Sequence, residues 1–262
     1  MAMDLEGKVV LVTGAGSGIG KAAALRLARA GATIAVLGRT ADDLAVTADQ
    51  IVASGGRAIT VEADISQPDE MQAVVAQIEE KLKRLDGVFA NAGINGVWAP
   101  IADLKSEEWS HTLAVNLTGT FLTVKYALPL LKVRGGSVII TSSVNGTRIF
   151  SNVGASAYSV SKAGQVAFAK MAALELAKYK IRVNVICPGW IETEIDDNTK
   201  KRNIEEARVP VEFPEGIVPL TGGEPGQPGQ VAELVLFLAS DASNHITGTE
   251  IWIDGAESLL EG

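Results

Sequence analysis

Short apolar runs alternate with longer amphipathic stretches along most of the 262-residue chain. Seven runs have the length of a buried strand, and their nearly continuous apolar character is typical of a parallel sheet covered on both faces. The predicted strands span residues 8–13, 33–37, 58–63, 87–90, 137–141, 182–186 and 250–253. The predicted helices span residues 22–30, 42–54, 69–83, 106–132, 157–179 and 230–239.

This alternation predicts an α/β fold, namely a doubly wound, Rossmann-type parallel sheet of seven strands with helices on both faces. No linker rich in proline and glycine divides the chain, so we expect a single domain over residues 1–262. Residues 192–230 contain five prolines, mixed charge and no strand period. An irregular connection of this length is usually functional or mobile, and we expect a substrate lid at about residues 190–229.

Composition and charge narrow the possible partners. The chain is 47% hydrophobic with a net charge of −8, so it is not disordered and would repel nucleic acid and anionic lipid. No apolar run reaches the roughly 18 residues that span a bilayer. With a single cysteine, Cys187, and an acidic start that does not resemble a signal peptide, we expect a cytoplasmic location. One cysteine and two distant histidines also predict no metal site.

The first predicted strand runs directly into a glycine-rich turn, TGAGSGIG at residues 13–20, and a helical pattern follows at once. Free N–H groups at a helix start, together with the helix dipole, bind pyrophosphate. Gly14, Gly18 and Gly20 are spaced four and then two residues apart, unlike GxGxxG, and the turn lacks the lysine and hydroxyl residue of a P-loop. The turn therefore predicts nucleotide binding without triphosphate hydrolysis; a turn that only reverses the chain is the alternative.

The end of the second strand bears on which dinucleotide binds. A carboxylate there would accept from the ribose 2′-OH of NAD, whereas a guanidinium pairs with a 2′-phosphate. Arg39, followed by Thr40, stands at this position and favours NADP, with NAD still possible. Asp64 closes the third strand, before Ile65, and is predicted near the adenine amino group. A solvated surface arginine and a simple turn acid are the alternatives.

Tyr158 and Lys162 lie four residues apart at the start of a predicted helix, so both project from one face. A phenol has a pKa of about 10, and a neighbouring ammonium stabilises its phenolate and makes it a better acid–base group near neutrality. Ser143 ends the fifth strand, at the sheet edge where ligands bind, and can donate to a substrate carbonyl. A serine hydrolase needs a histidine base, but His111 and His245 fit no recognisable triad order and are expected to be structural.

Together these motifs resemble the short-chain dehydrogenase/reductase family over essentially the whole chain. The resemblance rests on TGAGSGIG (13–20), NAG (91–93), VNLTG (115–119), SSVNG (142–146), YSVSK (158–162), RVNVICPG (182–189), and LFLASD, ITG and IDG near the C-terminus. It implies one dinucleotide-binding and catalytic domain, a small-molecule carbonyl or alcohol substrate, and a homotetramer. Two departures are Ala256, where the family commonly has glycine, and a slightly long interval of fifteen residues between Ser143 and Tyr158.

The resemblance also implies roles for individual residues. Tyr158 is the general acid in reduction and the base in oxidation, Lys162 lowers its pKa and holds the nicotinamide ribose, and Ser143 orients the carbonyl. Gly146, three residues on, selects Ser143 rather than the adjacent serine. Asn116 holds a water that links Lys162 to solvent. The full set of expected cofactor contacts, which includes several residues already named, is Gly14, Ser17, Gly18, Ile19, Gly20, Arg39, Thr40, Asp64, Ile65, Asn91, Lys125, Tyr158, Lys162, Ile191 and Thr193.

The function predicted is reversible hydride transfer between NADP(H) and a carbonyl or secondary alcohol. One alternative is a 3-oxoacyl-[acyl-carrier-protein] reductase, which needs a basic docking patch. The second alternative, of another class, is a non-catalytic NADP-binding regulator. The presence of all four residues Asn116, Ser143, Tyr158 and Lys162 argues against it. The candidates for the patch are Lys132, Arg134, Lys178 and Lys180. An apolar substrate body is a further hypothesis, with ordinary packing in the lid and core as the alternative, and it rests on Trp98, Ile149, Phe150, Trp190 and Phe213.

Overall fold

The computed structural model describes residues 3–195, 199–208 and 218–261. Its strands are β1 (Val9–Thr13), β2 (Thr33–Gly38), β3 (Arg57–Glu62), β4 (Gly87–Ala90), β5 (Val97–Trp98), β6 (Gly136–Thr141), β7 (Ile181–Pro188), β8 (Lys200–Lys201) and β9 (Glu250–Ile253). Seven of them form one parallel sheet with the order β3-β2-β1-β4-β6-β7-β9. The predicted doubly wound sheet is confirmed, and each predicted strand lies within two residues of its observed bounds.

Helices cover both faces of this sheet. They are α1 (Gly18–Arg29), α2 (Ala41–Ala53), α3 (Pro68–Leu82), α4 (Ser106–Leu113), α5 (Gly119–Leu131), α6 (Ser156–Leu176), α7 (Ile204–Ala207), α8 (Pro228–Ala239) and α9 (Glu257–Leu260). Successive side chains of β1 point to opposite faces, and both faces are buried: Leu11 packs with α3 and α5, whereas Val10 packs with α1 and α8. Burial on both sides explains why the strands are apolar throughout rather than alternating.

The strand order reverses between β1 and β4, which places a crevice at the carboxyl ends of these two strands. The Thr13 hydroxyl at the end of β1 accepts the backbone N–H groups of Asn91 and Ala92, both at 3.0 Å. This pairing holds the two strand ends together at the point where a ligand of such a sheet binds.

Residues 190–229, which were expected to be irregular, contain short regular elements that the sequence pattern did not predict. β8 pairs in parallel with β5 as a separate two-stranded sheet, and α7 follows it. The Arg202 guanidinium binds the Glu108 carboxylate of α4 at 2.8 and 2.7 Å. Residues 209–217 lie outside the described part of the chain. The single domain and the lid role remain predictions.

The helix predicted over residues 106–132 is divided. A five-residue π-helical turn, Ala114–Thr118, separates α4 from α5 and contains Asn116. Such turns occur frequently at functional sites. None of the helices in the described ranges is both long enough and apolar enough to cross a lipid bilayer.

Candidate active site

A cavity of about 290 Å³ opens at the carboxyl ends of the main sheet strands. Most of the predicted site residues line it, although they come from distant parts of the chain. Those in its wall are Gly14, Ser17, Gly18, Ile19, Arg39, Asp64, Ile65, Asn91, Ser143, Tyr158, Lys162, Ile191 and Thr193. The predicted residues outside the wall are Gly20, Thr40, Asn116 and Lys125.

The glycine turn between β1 and α1 has a backbone that other residues would not adopt. Gly14 and Gly18 have φ angles of +67° and +50°, in the left-handed region that favours glycine. Gly20 is buried, and a Cβ there would overlap the carbonyl oxygen of Gly14. The turn can therefore bring free N–H groups at the start of α1 close to a phosphate. Gly20 acts by permitting this turn rather than by lining the cavity.

Arg39 and Asp64 lie at the end of the cavity formed by β2 and β3. Arg39 is exposed and can reach a ligand there. Thr40 immediately precedes α2, which begins at Ala41. Asp64 accepts the backbone N–H and the hydroxyl of Ser66 at 2.9 and 2.8 Å. Partial burial opposes ionisation of Asp64, but the Ser66 hydrogen bonds and the charges of Arg39 and His111 hold its pKa below the ordinary value.

Two adjacent serines follow β6, and their hydrogen bonds distinguish them. The Ser142 hydroxyl donates to the carbonyl oxygen of Lys162 at 2.8 Å, so it fastens the strand end to α6. The Ser143 hydroxyl accepts the backbone N–H of Asn145 at 3.1 Å. Because an accepting hydroxyl keeps its own proton available to donate, Ser143 is the better of the two to bind a carbonyl oxygen.

Tyr158 and Lys162 lie on the buried face of α6, with the Lys162 ammonium 5.4 Å from the centre of the tyrosine ring. The Lys162 Nζ donates to the carbonyl oxygen of Thr141 at 2.8 Å, and the side chain is 3% exposed. Removal from water lowers the pKa of Lys162 to about 8. A cation beside a phenol favours the phenolate, so the arrangement suits proton transfer at the tyrosine oxygen.

Asn116 is fully buried in the π-helical turn. Its side-chain oxygen accepts the N–H of Ile94 at 2.8 Å, and its amide donates to the Ile94 carbonyl and the Ser161 hydroxyl at 2.9 and 3.0 Å. Its backbone carbonyl accepts from Thr120 and Gln165 at 2.7 and 2.8 Å. Asn116 thus joins the segment after β4 to α6 immediately behind the cavity wall.

Comparisons with known proteins agree with this arrangement. A family model described as "Enoyl-(Acyl carrier protein) reductase" matches residues 14–256. The chain is 37% identical over 256 residues to the 3-oxoacyl-[acyl-carrier-protein] reductase FabG of Thermotoga maritima, covering 97% of this chain and 98% of the relative. A solved 3-ketoacyl-ACP reductase from Sinorhizobium meliloti superimposes with a TM-score of 0.93 at 54% identity, over 96% of this chain and 99% of that one. This chain belongs to the short-chain dehydrogenase/reductase family.

Other members of the family act on unrelated alcohols. The chain is 35% identical over 257 residues to the cyclohexanol dehydrogenase of Acinetobacter sp., covering 98% of this chain and 97% of the relative. A carveol dehydrogenase from Mycobacterium avium, solved in complex with NAD, has a TM-score of 0.85 at 28% identity over 97% of this chain and 99% of that one. The protein is an NAD(P)-dependent dehydrogenase/reductase that acts on CH–OH groups or the corresponding carbonyls.

The structure does not bring Lys125 to the cavity of this short-chain dehydrogenase/reductase. Lys125 is exposed on α5, and its ammonium lies 5.6 Å and 5.3 Å from the ring centres of Phe121 and Tyr126. Asn116, nine residues earlier, is fully buried, so the two side chains lie on different faces of the helical segment. The assignment of Lys125 as a cofactor contact is therefore not supported by its position.

Of the aromatic and apolar residues expected around the carbonyl site, the four that the structure describes are not in the cavity wall. Trp98 lies in the small sheet, Ile149 is fully buried, and Phe150 is 73% exposed beside a separate cleft. Trp190 is exposed, and Phe213 lies outside the described residues. These residues give no support to an apolar substrate body.

Two features of the site have no clear signal in the sequence. Cys187, at the end of β7, is fully buried, and burial raises the pKa of its thiol to about 11, with Glu250 acting in the same direction. Glu257, near the C-terminus, binds the backbone of Trp190 at 2.6 Å. The sequence could not predict this contact, because Glu257 lies 67 residues after Trp190 and belongs to no motif that relates it to the end of β7.

Proposed function

We propose that the protein transfers hydride reversibly between NADP(H) and a carbonyl or secondary alcohol, with Tyr158 as the general acid and base. The observation that supports this proposal is the convergence of Ser143, Tyr158 and Lys162 on one cavity that also contains the glycine turn and Arg39. The glycine turn provides for the pyrophosphate, and Arg39 provides for a 2′-phosphate.

When bound, the nicotinamide supplies or accepts the hydride. Ser143 donates to the substrate oxygen, and Tyr158 gives that oxygen a proton in reduction and removes it in oxidation. Lys162 favours the phenolate of Tyr158 and holds the nicotinamide ribose, while Asn116 holds a water that connects Lys162 to solvent. The other proposed contacts are Asn91 with the ribose, Ile191 and Thr193 with the carboxamide, and Asp64 with adenine.

The cofactor assignment is tested by titrating the protein with NADPH and NADH in parallel, following nicotinamide fluorescence at fixed salt. We expect tighter binding of NADPH. Arg39→Ala should weaken NADPH binding about 10- to 100-fold, as for loss of a hydrogen bond between charged groups, and leave NADH binding unchanged. Arg29→Ala, an exposed arginine in the last turn of α1, is the matched control. Equal affinities for the two nucleotides in the wild type would refute the role of Arg39.

The catalytic assignment is tested with Tyr158→Phe. We expect NADPH binding to persist while turnover falls by about 10²- to 10⁴-fold, the usual contribution of general acid–base catalysis. Tyr126→Phe, on α5, is the control. The assay uses cyclohexanone and 3-oxoacyl thioesters, the substrate types suggested by the names of the relatives. A regulatory nucleotide-binding protein would show no turnover in the wild type, and this would refute the enzymatic proposal.

The names of two relatives favour a second candidate, reduction of a 3-oxoacyl chain on a carrier protein. Lys132 and Lys178 do cluster, with their ammonium groups 4.4 and 5.1 Å from the ring of Tyr179. This cluster lies at the amino ends of β6 and β7, whereas the cavity lies at their carboxyl ends. Within one chain, therefore, the basic patch does not border the cavity. A kcat/KM at least tenfold higher for the carrier-bound substrate than for its N-acetylcysteamine thioester would favour this candidate.

We further propose a cytoplasmic homotetramer. Phe121, Met171 and Leu174 on α5 and α6 are 42, 72 and 81% exposed, and apolar side chains grouped on helix surfaces are typical of contacts between proteins. Sedimentation equilibrium should give four times the chain mass of 27.4 kDa. A mass of one chain would refute the assembly.

A further inference from the structure

The segment that follows β7, residues 188–192, forms one wall of the cavity, and we refer to it as the strap. Pro188, Gly189 and Ile191 face the cavity. Four main-chain hydrogen bonds hold the strap: the carbonyl oxygen of Pro188 accepts the N–H of Val144 at 3.0 Å, the N–H of Gly189 donates to the carbonyl oxygen of Ile253 at 3.2 Å, and the strap exchanges two bonds with Gly226 at 2.9 Å each. These backbone bonds involve no titratable group.

One further bond to the strap comes from a side chain. The Oε2 of Glu257 accepts the N–H of Trp190 at 2.6 Å, and Glu257 is only 8% exposed. A Cβ at Gly189 would overlap this same carboxylate oxygen. The carboxyl group is thus packed directly against the Gly189–Trp190 peptide, and Glu257 is not among the residues that line the cavity.

The charges around Glu257 do not neutralise it. No cation lies within ion-pair distance of Glu257 in the described ranges. Asp254 and Glu261 are the acidic groups that act on it. Arg148 reaches the neighbouring Ser258 hydroxyl at 3.3 Å, but its guanidinium stacks on Trp252.

The surroundings of Glu257 favour its protonated form. Burial raises the pKa of its carboxyl group, the hydrogen bond from Trp190 opposes this, and Asp254 and Glu261 raise it further. Its net pKa lies above the ordinary 4.5 of glutamate. As the pH falls, Glu257 therefore protonates earlier than an exposed glutamate does. A hydrogen bond to a carboxylate is roughly twice as strong as one to a neutral acceptor, so protonation weakens the bond to the strap.

We propose that Glu257 is a positioning residue for the nicotinamide cofactor: its carboxylate holds the Gly189–Trp190 peptide in the conformation that closes the cavity wall. Protonating or removing this carboxylate then weakens cofactor binding without touching a group that contacts the cofactor. The inference rests on the proposed function in that the cavity must bind a nicotinamide dinucleotide.

The test is a fluorescence titration with NADPH from pH 5.5 to 8 on the wild type, Glu257→Gln, Glu257→Leu and the control Glu80→Gln, an exposed glutamate on α3. We expect the dissociation constant of the wild type to rise as the pH falls, because the pKa of Glu257 is raised above its ordinary value. Glu257→Gln keeps an uncharged acceptor, so it should resemble the low-pH wild type at every pH and respond less to pH. Glu257→Leu, which leaves the Trp190 N–H unpaired, should bind about tenfold more weakly throughout. Glu80→Gln should follow the wild type.

Thermal unfolding of each variant establishes that it is folded, and the isosteric glutamine variant keeps the experiment informative where leucine prevents folding. With NADPH saturating, Glu257→Gln should retain the kcat of the wild type. The inference is overturned if Glu257→Gln and the wild type have the same pH dependence of binding, or if folded Glu257→Leu binds as tightly as the wild type. Failure of the wild type to bind either nucleotide at any pH would instead overturn the proposed function, and this inference with it.

Discussion

Replacing Lys162 by methionine should stabilise the protein while abolishing its activity. Lys162 is 3% exposed, and its Nζ donates a hydrogen bond to the carbonyl oxygen of Thr141. An ammonium group in this position has lost its hydration, and no carboxylate of the described residues lies within ion-pair distance of it. Methionine has a similar length and no charge, and it tolerates irregular packing. The substitution therefore removes a buried charge without leaving a large cavity.

The magnitude follows from the pKa of Lys162, which is about 8 in the folded chain against an ordinary 10.5. At about 1.4 kcal/mol per pKa unit, the protonated lysine costs the folded state about 3 kcal/mol near pH 7. Loss of the hydrogen bond to Thr141 costs about 1 kcal/mol. The net gain in the free energy of unfolding is about 2 kcal/mol, which raises the Tm by about 4 °C for a chain of this size.

The sign of the pH dependence provides the sharper test. Because the folded pKa lies below the unfolded one, folded Lys162 loses its proton first as the pH rises, and the wild type gains stability between about pH 8 and pH 10.5. At pH 10 the remaining cost is about 1 kcal/mol, so the advantage of Lys162→Met should nearly vanish. Tm values are compared at pH 7 and pH 10 at one protein concentration, because assembly also shifts Tm. The reasoning would be refuted if Lys162→Met had a lower Tm than the wild type at pH 7, or if it raised the Tm by the same amount at both pH values.

Three other substitutions or treatments test separate features. Asp86→Ala should lower the free energy of unfolding in urea by about 2 kcal/mol, because Asp86 is buried and accepts the Val9 N–H and the Arg84 guanidinium; an unchanged midpoint would contradict this. Ala256→Gly should raise stability by about 1 kcal/mol, since Ala256 has a φ of +73°; a lower Tm would exclude strain there. Cys187 should react with iodoacetamide only after unfolding, because it is fully buried and its thiol has a pKa of about 11. Labelling is measured by mass spectrometry, and labelling of the native protein would contradict this prediction.

The sheet and most of the cavity wall could be predicted from the sequence because they obey local rules. Apolar runs such as residues 182–186 marked strands buried on both faces, and parallel strands necessarily bring their carboxyl ends to one edge. Asn91 and Ser143, which follow different strands, meet there for that reason. Lys125 was placed only by its distance from a motif, and the structure puts it on the exposed surface of α5, outside the cavity wall.

Other features depend on packing that has no sequence period. A π-helical turn at Asn116 inserts a single extra residue per turn into an otherwise continuous helical pattern. β5 and β8 are two residues each and are about one hundred positions apart, so neither shows an alternation that could predict pairing. Arg202, directly after β8, and Glu108 of α4 are likewise brought together only by the fold.

Glu257 shows the same limit most clearly, and the reason is physical. Groups that act on a ligand must carry particular chemistry at particular strand or helix ends, so a phenol beside an ammonium is informative even in isolation. A group that holds the wall of the cavity needs only to present an acceptor to one backbone N–H, and many side chains from many places in the chain could do so. Here that acceptor comes from α9, just after the left-handed Ala256. The residues that position a site are therefore identified by tracing each backbone hydrogen bond of its wall to its partner.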